Sequence, residues 1–187
     1  MRLQQPLPHG RMLKRLQRDQ RGATAIEFAL IGGAMILFVL SIIGLGLYFM
    51  TGSSLQHGVQ AAARLIRTGQ SNEAAMKVSS FRDAVCRSMN IAIDCKKMSI
   101  LVNSATDWSG LSLTPCLTNG NMSDSTGDEK ELLSKYAGKE EQVVVVTVCY
   151  RWEMAKNFPF LKLGNPSDGS GAAILQAATA FRSEPYH

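Results

Sequence analysis

The strongest constraint on the fold is an uncharged apolar run at residues 28–50. It holds 23 residues without one Asp, Glu, Lys, Arg or His. As a helix rising about 1.5 Å per residue it reaches roughly 34 Å, enough to cross the ~30 Å hydrocarbon core of a bilayer. A buried core helix of a small soluble domain would not need such a length. A secretory signal has a shorter apolar region, about 7–15 residues, and the A-x-A sequence at 61–63 lies beyond the end of the run. The run therefore predicts a transmembrane helix.

Charge is concentrated before this run. Residues 1–22 carry six basic side chains against one acidic side chain, whereas the remaining 165 residues carry 14 of each. By the positive-inside rule, the leader 1–22 is cytoplasmic and the chain after about residue 51 lies on the other side, with Tyr48 at the far interface. A neutral body without a basic face predicts no nucleic-acid partner.

Beyond the run the pattern first stays helical. The helix is expected to continue as an amphipathic stalk to about residue 68, with Gly69 as its stop. A second helix is expected at about 73–89. The apolar positions of the stalk are Leu55, Val59, Ala62, Ala63 and Ile66. Those of the second helix are Val78, Phe81, Val85 and Met89.

From Cys95 onward the period changes to that of strands. Residues 97–103 and 142–153 are rich in β-branched and aromatic side chains, which predicts strands. Residues 173–182 are compatible with either helix or strand. The polar stretch 114–141 is expected to be an excursion from the sheet, with helical turns at about 128–136.

The predicted fold class is α+β: a long N-terminal transmembrane helix continuing as a stalk, a second helix, and then a small antiparallel sheet. The predicted divisions are a basic cytoplasmic leader at 1–22, transmembrane helix and stalk at 23–69 with the span at 28–50, and a periplasmic disulfide-bonded domain at 70–187.

Four cysteines, Cys86, Cys95, Cys116 and Cys149, all follow the apolar run. In an oxidising compartment they predict two disulfides among three possible pairings. We favour 86–95 and 116–149, which would stabilise the fold by about 3 and 4 kcal/mol in the loop-closure model. No C-x-x-C spacing and no neighbouring histidine is present, so neither a metal site nor a thioredoxin-like redox site is predicted.

Catalytic patterns are missing from the sequence. His9, His57 and His187 are isolated from one another and cannot supply a triad or a metal cluster without long reach across the fold. The acidic stretch 124–131 lacks the twelve-residue calcium-loop pattern and is interpreted as a solvated loop. The sequence thus predicts no enzyme, no cofactor, no metal and no small-molecule substrate.

The residues before the apolar run read RGATAIEF at positions 21–28. A basic leader, a glycine, four residues, a glutamate and a long apolar helix together resemble the prepilin class. The longer match GATAIEFAL at 22–30, with the C-terminal FRSEPY at 181–186, resembles the TadE/TadG-like pseudopilins of tight-adherence (Tad, Flp-type) pilus systems. The resemblance implies that a prepilin peptidase cuts between Gly22 and Ala23. It also implies other pilin subunits and the inner-membrane Tad assembly machinery as partners.

Glu27 would be the fifth residue of the processed chain. A carboxylate at the edge of the hydrocarbon is expected to have a partner, and cleavage would expose an ammonium at Ala23. We place Glu27 in the first helical turn, where the helix dipole favours an anion. Ala25, Ala29 and Gly33 form a row of small residues that permits close helix packing.

The predicted function is that of a non-enzymatic minor pilin or pseudopilin that supports pilus assembly. Two alternatives stay open from the sequence. One is an unprocessed membrane scaffold of the same apparatus, and the other is a membrane-tethered periplasmic enzyme.

Overall fold

The computed structural model describes residues 22–67, 78–89, 93–124, 142–164, 166–167 and 169–182. It contains a long apolar helix, a short second helix and a small antiparallel sheet, so the predicted α+β class is confirmed. The chain forms two compact units that divide between Ile42 and Ile43. The second unit, called the α+β domain below, therefore includes the later part of the long helix. The predicted division after residue 69, which separates the stalk from the disulfide-bonded domain, stays a prediction.

Helix α1 runs over Ala23–Arg67, 45 residues. It contains no proline, so no backbone N–H group is lost within the helix. In its uncharged segment the polar groups are mainly backbone N–H and C=O groups, and a helix pairs these with one another. The hydroxyl of Ser41 donates to the carbonyl of Leu37 at 2.7 Å, so this polar group is also satisfied within the helix. Among the described residues one helical segment, Thr24–Arg64, is long and apolar enough to cross a membrane by length and composition. The predicted stop at Gly69 lies outside the described residues.

Within the α+β domain, α1 packs against helix α2, Val78–Ser88. The predicted apolar face of the second helix is confirmed, because Val78, Phe81, Val85 and Met89 are all buried. The predicted stalk face is also buried at Leu55, Val59, Ala62 and Ala63. The two helices approach closely at Gly58, where a Cβ would lie 2.9 Å from the carbonyl oxygen of Val85. The segment 68–77, which includes the predicted first turn of the second helix, is outside the described residues.

The main sheet has three antiparallel strands in the order β1-β4-β5. These are β1 at Met98–Ala105, β4 at Val143–Trp152 and β5 at Ala173–Arg182. Met98 faces Tyr150 in the β1–β4 pair, and Val143 faces Arg182 in the β4–β5 pair. The segment 173–182, which the sequence left open, is therefore a strand.

A two-stranded hairpin lies between β1 and β4. Its strands are β2 at Leu117–Thr118 and β3 at Asn121–Met122. Asn119 and Gly120 connect them with φ angles of 52° and 78°. Consecutive left-handed residues with the sequence Asn-Gly are typical of the tight turns that match the twist of antiparallel strands. Beyond the hairpin, residues 125–141 lie outside the described part, and with them the predicted turns at 128–136 and all of the acidic stretch except Asp124.

The sheet is covered on both faces, which explains why the central strand β4 is apolar almost without interruption. Alternate strand residues such as Ile100, Val146 and Leu175 face the two helices in the larger core. The opposite face carries a smaller core of Leu101, Cys116, Cys149 and Ile174, closed by the hairpin residues Leu117 and Met122. A strand buried on both faces loses the alternation of apolar and polar residues, as the run of valines in β4 does.

Candidate assembly site at the start of the long helix

The predicted processing bond lies at the very start of α1. Gly22 is exposed and directly precedes Ala23, the first helical residue. Among the described residues, no atom lies within 4 Å of a Cβ built on Gly22. The first backbone N–H groups of a helix have no partner within the helix, so the chain at this bond presents open backbone to an approaching protein. The leader residues before Gly22 lie outside the described part.

Glu27 is exposed and is the fifth residue of α1. The expectation that it lies in the first turn is wrong, because α1 begins at Ala23 and its first turn contains no acidic residue. Glu27 lies four positions after Ala23, which is about 6 Å along the helix axis. The dipole effect falls off within the first turn, so a charge partner matters more for this carboxylate than the dipole does. Side chains on a helix tilt toward its N-terminus, so the side chain of Glu27 leans toward the end of α1 that begins at Ala23.

The row of small residues occupies one face of the same segment. Ala25, Ala29 and Gly33 are all exposed, and their spacing of four puts them on one face of the helix. Ala29 and Gly33 line an open apolar groove of about 630 Å³ that also involves Phe28 and Ile36. A Cβ built on Gly33 meets nothing within 4 Å. The described part of the chain thus leaves this groove open, and Ala25 is not among the groove residues.

A separate polar cluster lies in the α+β domain where β4 ends. Lys97 Nζ lies 2.9 Å from Glu153 Oε2 and 3.7 Å from Asp94 Oδ2, and Lys156 Nζ lies 3.6 Å from Glu153 Oε2. The hydrogen bond to Glu153 raises the pKa of Lys97, and the same bond lowers the pKa of Glu153. Burial raises the pKa of the neighbouring Tyr150. Sequence reasoning did not single out this cluster, since its members come together only through the β1–β4 pairing.

A cavity of about 310 Å³ adjoins the cluster, between α1 and the end of β4. Its wall is formed by Leu47, Thr51 and Trp152, with Lys97 and Glu153 among its polar residues. Those two charges bind each other, so the rim of the cavity is ion-paired. Within the described segments no group of three or more His, Cys, Asp or Glu side chains is gathered that could hold a metal ion.

Both favoured disulfides are confirmed. Cys86 pairs with Cys95 and Cys116 with Cys149, with Cα atoms 6.2 Å and 5.6 Å apart. The first joins the end of α2 to the segment before β1, and the second ties the hairpin to the central strand. No cysteine remains free.

Sequence reasoning missed the turn of residues 158–161, which packs against α1 at Gly44. Phe158 and Phe160 contact each other with their ring centroids 6.2 Å apart. The aromatic sequence FPFL at these positions was the available signal.

Comparison with known protein families gives one match, to the family described as TadE-like protein, over residues 22–64. No curated protein and no solved structure gives a significant match. The matched segment begins at Gly22 and includes Glu27, the row of small residues and the part of α1 that enters the α+β domain. The resemblance to TadE-like proteins is therefore confirmed over residues 22–64, where the chain is similar to that family.

Proposed function

We propose that the chain is a non-enzymatic minor pilin or pseudopilin, cut by a prepilin peptidase between Gly22 and Ala23, that supports assembly of a Tad-type pilus. One coincidence carries this proposal. The last basic residue of the leader is Arg21, the family match begins at Gly22 and α1 starts at Ala23, so all three boundaries lie next to the bond between Gly22 and Ala23. A peptidase that removes the leader at this bond leaves an intact helix attached to an intact domain.

The leader lies in the cytoplasm, and the disulfide-bonded part of the α+β domain lies in the periplasm. The six basic residues of the leader support this orientation through the positive-inside rule. The two disulfides of the domain support it independently, because such bonds persist in oxidising compartments and are rare in the cytosol.

Cleavage creates a charge pair that the uncut chain cannot make. The new α-ammonium at Ala23 and the carboxylate of Glu27 stand about one helical turn apart in one chain, and they can pair between neighbouring subunits. A charge in hydrocarbon costs several kcal/mol unless it is paired. Pairing therefore favours the one axial position of a neighbouring subunit at which its charge meets the opposite charge of this chain. The groove at Ala29 and Gly33 gives the neighbouring helix room to approach. Partners of this kind are other pilin subunits and the inner-membrane assembly machinery.

The proposal is tested by mature mass and pilus number in a strain that expresses the variants. Gly22→Leu should yield full-length membrane protein and no pili, because a bulky side chain blocks access to the backbone, while Gly22→Ala should be cut. Glu27→Ala should be cut and inserted but assemble few pili, and Glu27→Asp, which keeps the charge, should assemble more.

Two results contradict the proposal in different ways. Wild-type protein that keeps residues 1–22 in a piliated strain would show that the chain is an unprocessed scaffold. Normal assembly by Glu27→Ala would leave processing intact but refute the charge pair.

A further inference from the structure

The connection between β4 and β5 contacts the long helix inside the apolar run. It consists of two short 3-10 segments, Glu153–Asn157 and Pro159–Leu161. A Cβ on Gly44 would lie 2.7 Å from Leu161 Cδ1 and 2.9 Å from Phe158 Cδ1, so these side chains rest on the helix backbone. Gly44 is buried although Ile43 and Leu45 beside it are exposed. It precedes Met50, the end of the run, by six residues or about 9 Å of helix.

The part of the apolar run that precedes Gly44 is short. Residues 28–43 are 16 in number, about 24 Å of helix, whereas the hydrocarbon core is about 30 Å thick. Recovering the difference at the other end requires about four more residues, and before assembly supplies a partner subunit that places the unpaired carboxylate of Glu27 within hydrocarbon. The helix can therefore cross the bilayer with Glu27 outside the hydrocarbon only if its residues beyond Gly44 also lie in the bilayer.

The side chains at this end of the domain suit such a position. Phe160 is 42% exposed and Met154 is 45% exposed, while Lys156 and Lys162 are exposed beside them. Apolar tips flanked by lysines are characteristic of elements that lie at the boundary of headgroups and acyl chains, about 5–10 Å deep. The depth of about 9 Å deduced for the level of Gly44 falls in that range.

We propose that residues 153–162 form a lipid-contacting element, seated in the bilayer leaflet that faces the α+β domain. Phe160 and Met154 enter the acyl region, and the ammonium groups of Lys156 and Lys162 bind lipid phosphates. This inference rests on the proposed crossing of the membrane by α1. The domain then has two attachments to the bilayer, the helix and this element.

The occupant is lipid rather than a second protein copy because the element shares its level with the end of a membrane-crossing helix. At that level Leu45, Phe49 and Met50 of α1 are also exposed and apolar. A protein partner would have to cover the helix and the element together, whereas the bilayer already surrounds the helix.

The experiment uses full-length protein reconstituted in vesicles of phosphatidylethanolamine and phosphatidylglycerol. Single cysteines are introduced as Phe160→Cys, Trp108→Cys and Val39→Cys and carry a nitroxide label, which the disulfide-bonded native cysteines do not take up. Collision rates with oxygen and with a water-soluble nickel chelate report the depth of each label. Trp108 is the matched control, because it is exposed and follows β1, whose end Ala105 pairs with the far end of β4. That end is about 30 Å of strand from Trp152.

The expected result is a nickel collision rate at residue 160 several-fold below that at residue 108, with oxygen collisions near those at residue 39. If residue 39 is in lipid while 160 matches 108, the element is in water and this inference is overturned while the membrane span stands. If residue 39 is also open to nickel, the membrane span itself is wrong and the inference fails with it. Protection of residue 160 that disappears on dilution to one protein per nanodisc would show a second copy as the occupant and would also overturn the inference.

Discussion

Replacing Gly58 by alanine adds one methyl group and tests how closely α1 packs against α2. Gly58 lies on α1 at the closest approach to α2, and a Cβ there would lie 2.9 Å from the backbone oxygen of Val85, 3.0 Å from Met89 Cγ and 3.2 Å from Val85 Cγ1. Favourable contact between carbon atoms occurs at about 3.5–4.0 Å. Since the nearest atom belongs to the backbone, the two helices must separate by several tenths of an ångström to admit the methyl group.

Two opposing effects determine the size of the change. Overpacking a filled core costs about 1–3 kcal/mol, and replacing glycine by alanine inside a helix gains about 1 kcal/mol. Gly58→Ala should therefore lower the free energy of unfolding by about 1 kcal/mol. Gly52 on the same helix has no atom within 4 Å of a built Cβ, so Gly52→Ala should raise it by about 1 kcal/mol. The difference between the two variants cancels the propensity gain and isolates the packing cost.

The assay is urea unfolding of full-length protein in detergent without reductant, followed by the fluorescence of the buried Trp152. A packing cost of about 2 kcal/mol corresponds to roughly 1 M between the midpoints of the two variants, since m is about 1–3 kcal/mol per M. Equal upward shifts of both midpoints would show that α1 and α2 are not in close contact at Gly58. The same result would contradict the packing of α1 against α2 within the domain.

Two further predictions use the same unfolding assay. Replacing Cys116 and Cys149 together by serine should lower the free energy of unfolding by about 4 kcal/mol, because the bridge closes a ring with a sequence separation of 33; an unchanged midpoint would show that the bridge is not formed. The pKa of Glu153 is lowered by Lys97, so this carboxylate stabilises the fold above the usual glutamate pKa and stops doing so as pH falls through the lowered pKa. Glu153→Gln should therefore reduce stability at neutral pH and equal wild type in acid, and a deficit that persists in acid would contradict the charge assignment.

Much of the fold can be predicted from the spacing of apolar residues along the chain. The face of α2 and the stalk face of α1 are predicted correctly because each repeats at helical spacing over several turns. Both disulfides are predicted from the positions of the cysteines in the chain. The central strand β4 is identified by its valines, which favour extended backbone.

Other features depend on tertiary contacts that the sequence does not encode locally. Strand β5 contains many alanines and could form a helix in isolation, and it becomes a strand because it pairs with β4 along all ten residues. The sequence of the apolar run does not predict that Gly44 contacts residues 158–161, because glycine occurs both at lipid-facing positions and where protein elements pack closely. The position of Glu27 in the helix depended on where α1 begins, and the start at Ala23 moved it out of the first turn.

The part of α1 before Gly44 is the part that assembly can use, because its described side chains are exposed except for half-buried Gly32 and Ser41. Gly33→Leu tests this directly. A Cβ at Gly33 meets nothing within 4 Å in the chain itself, so a larger side chain there should leave the unfolding midpoint of the domain unchanged. It should nevertheless reduce pilus number, because it fills the groove at Ala29 that a neighbouring helix would enter. Gly46→Leu is the matched control, since Gly46 is equally free of contacts within the chain but does not line the groove. Equal pilus numbers for the two variants would show that the row of small residues is not the packing face.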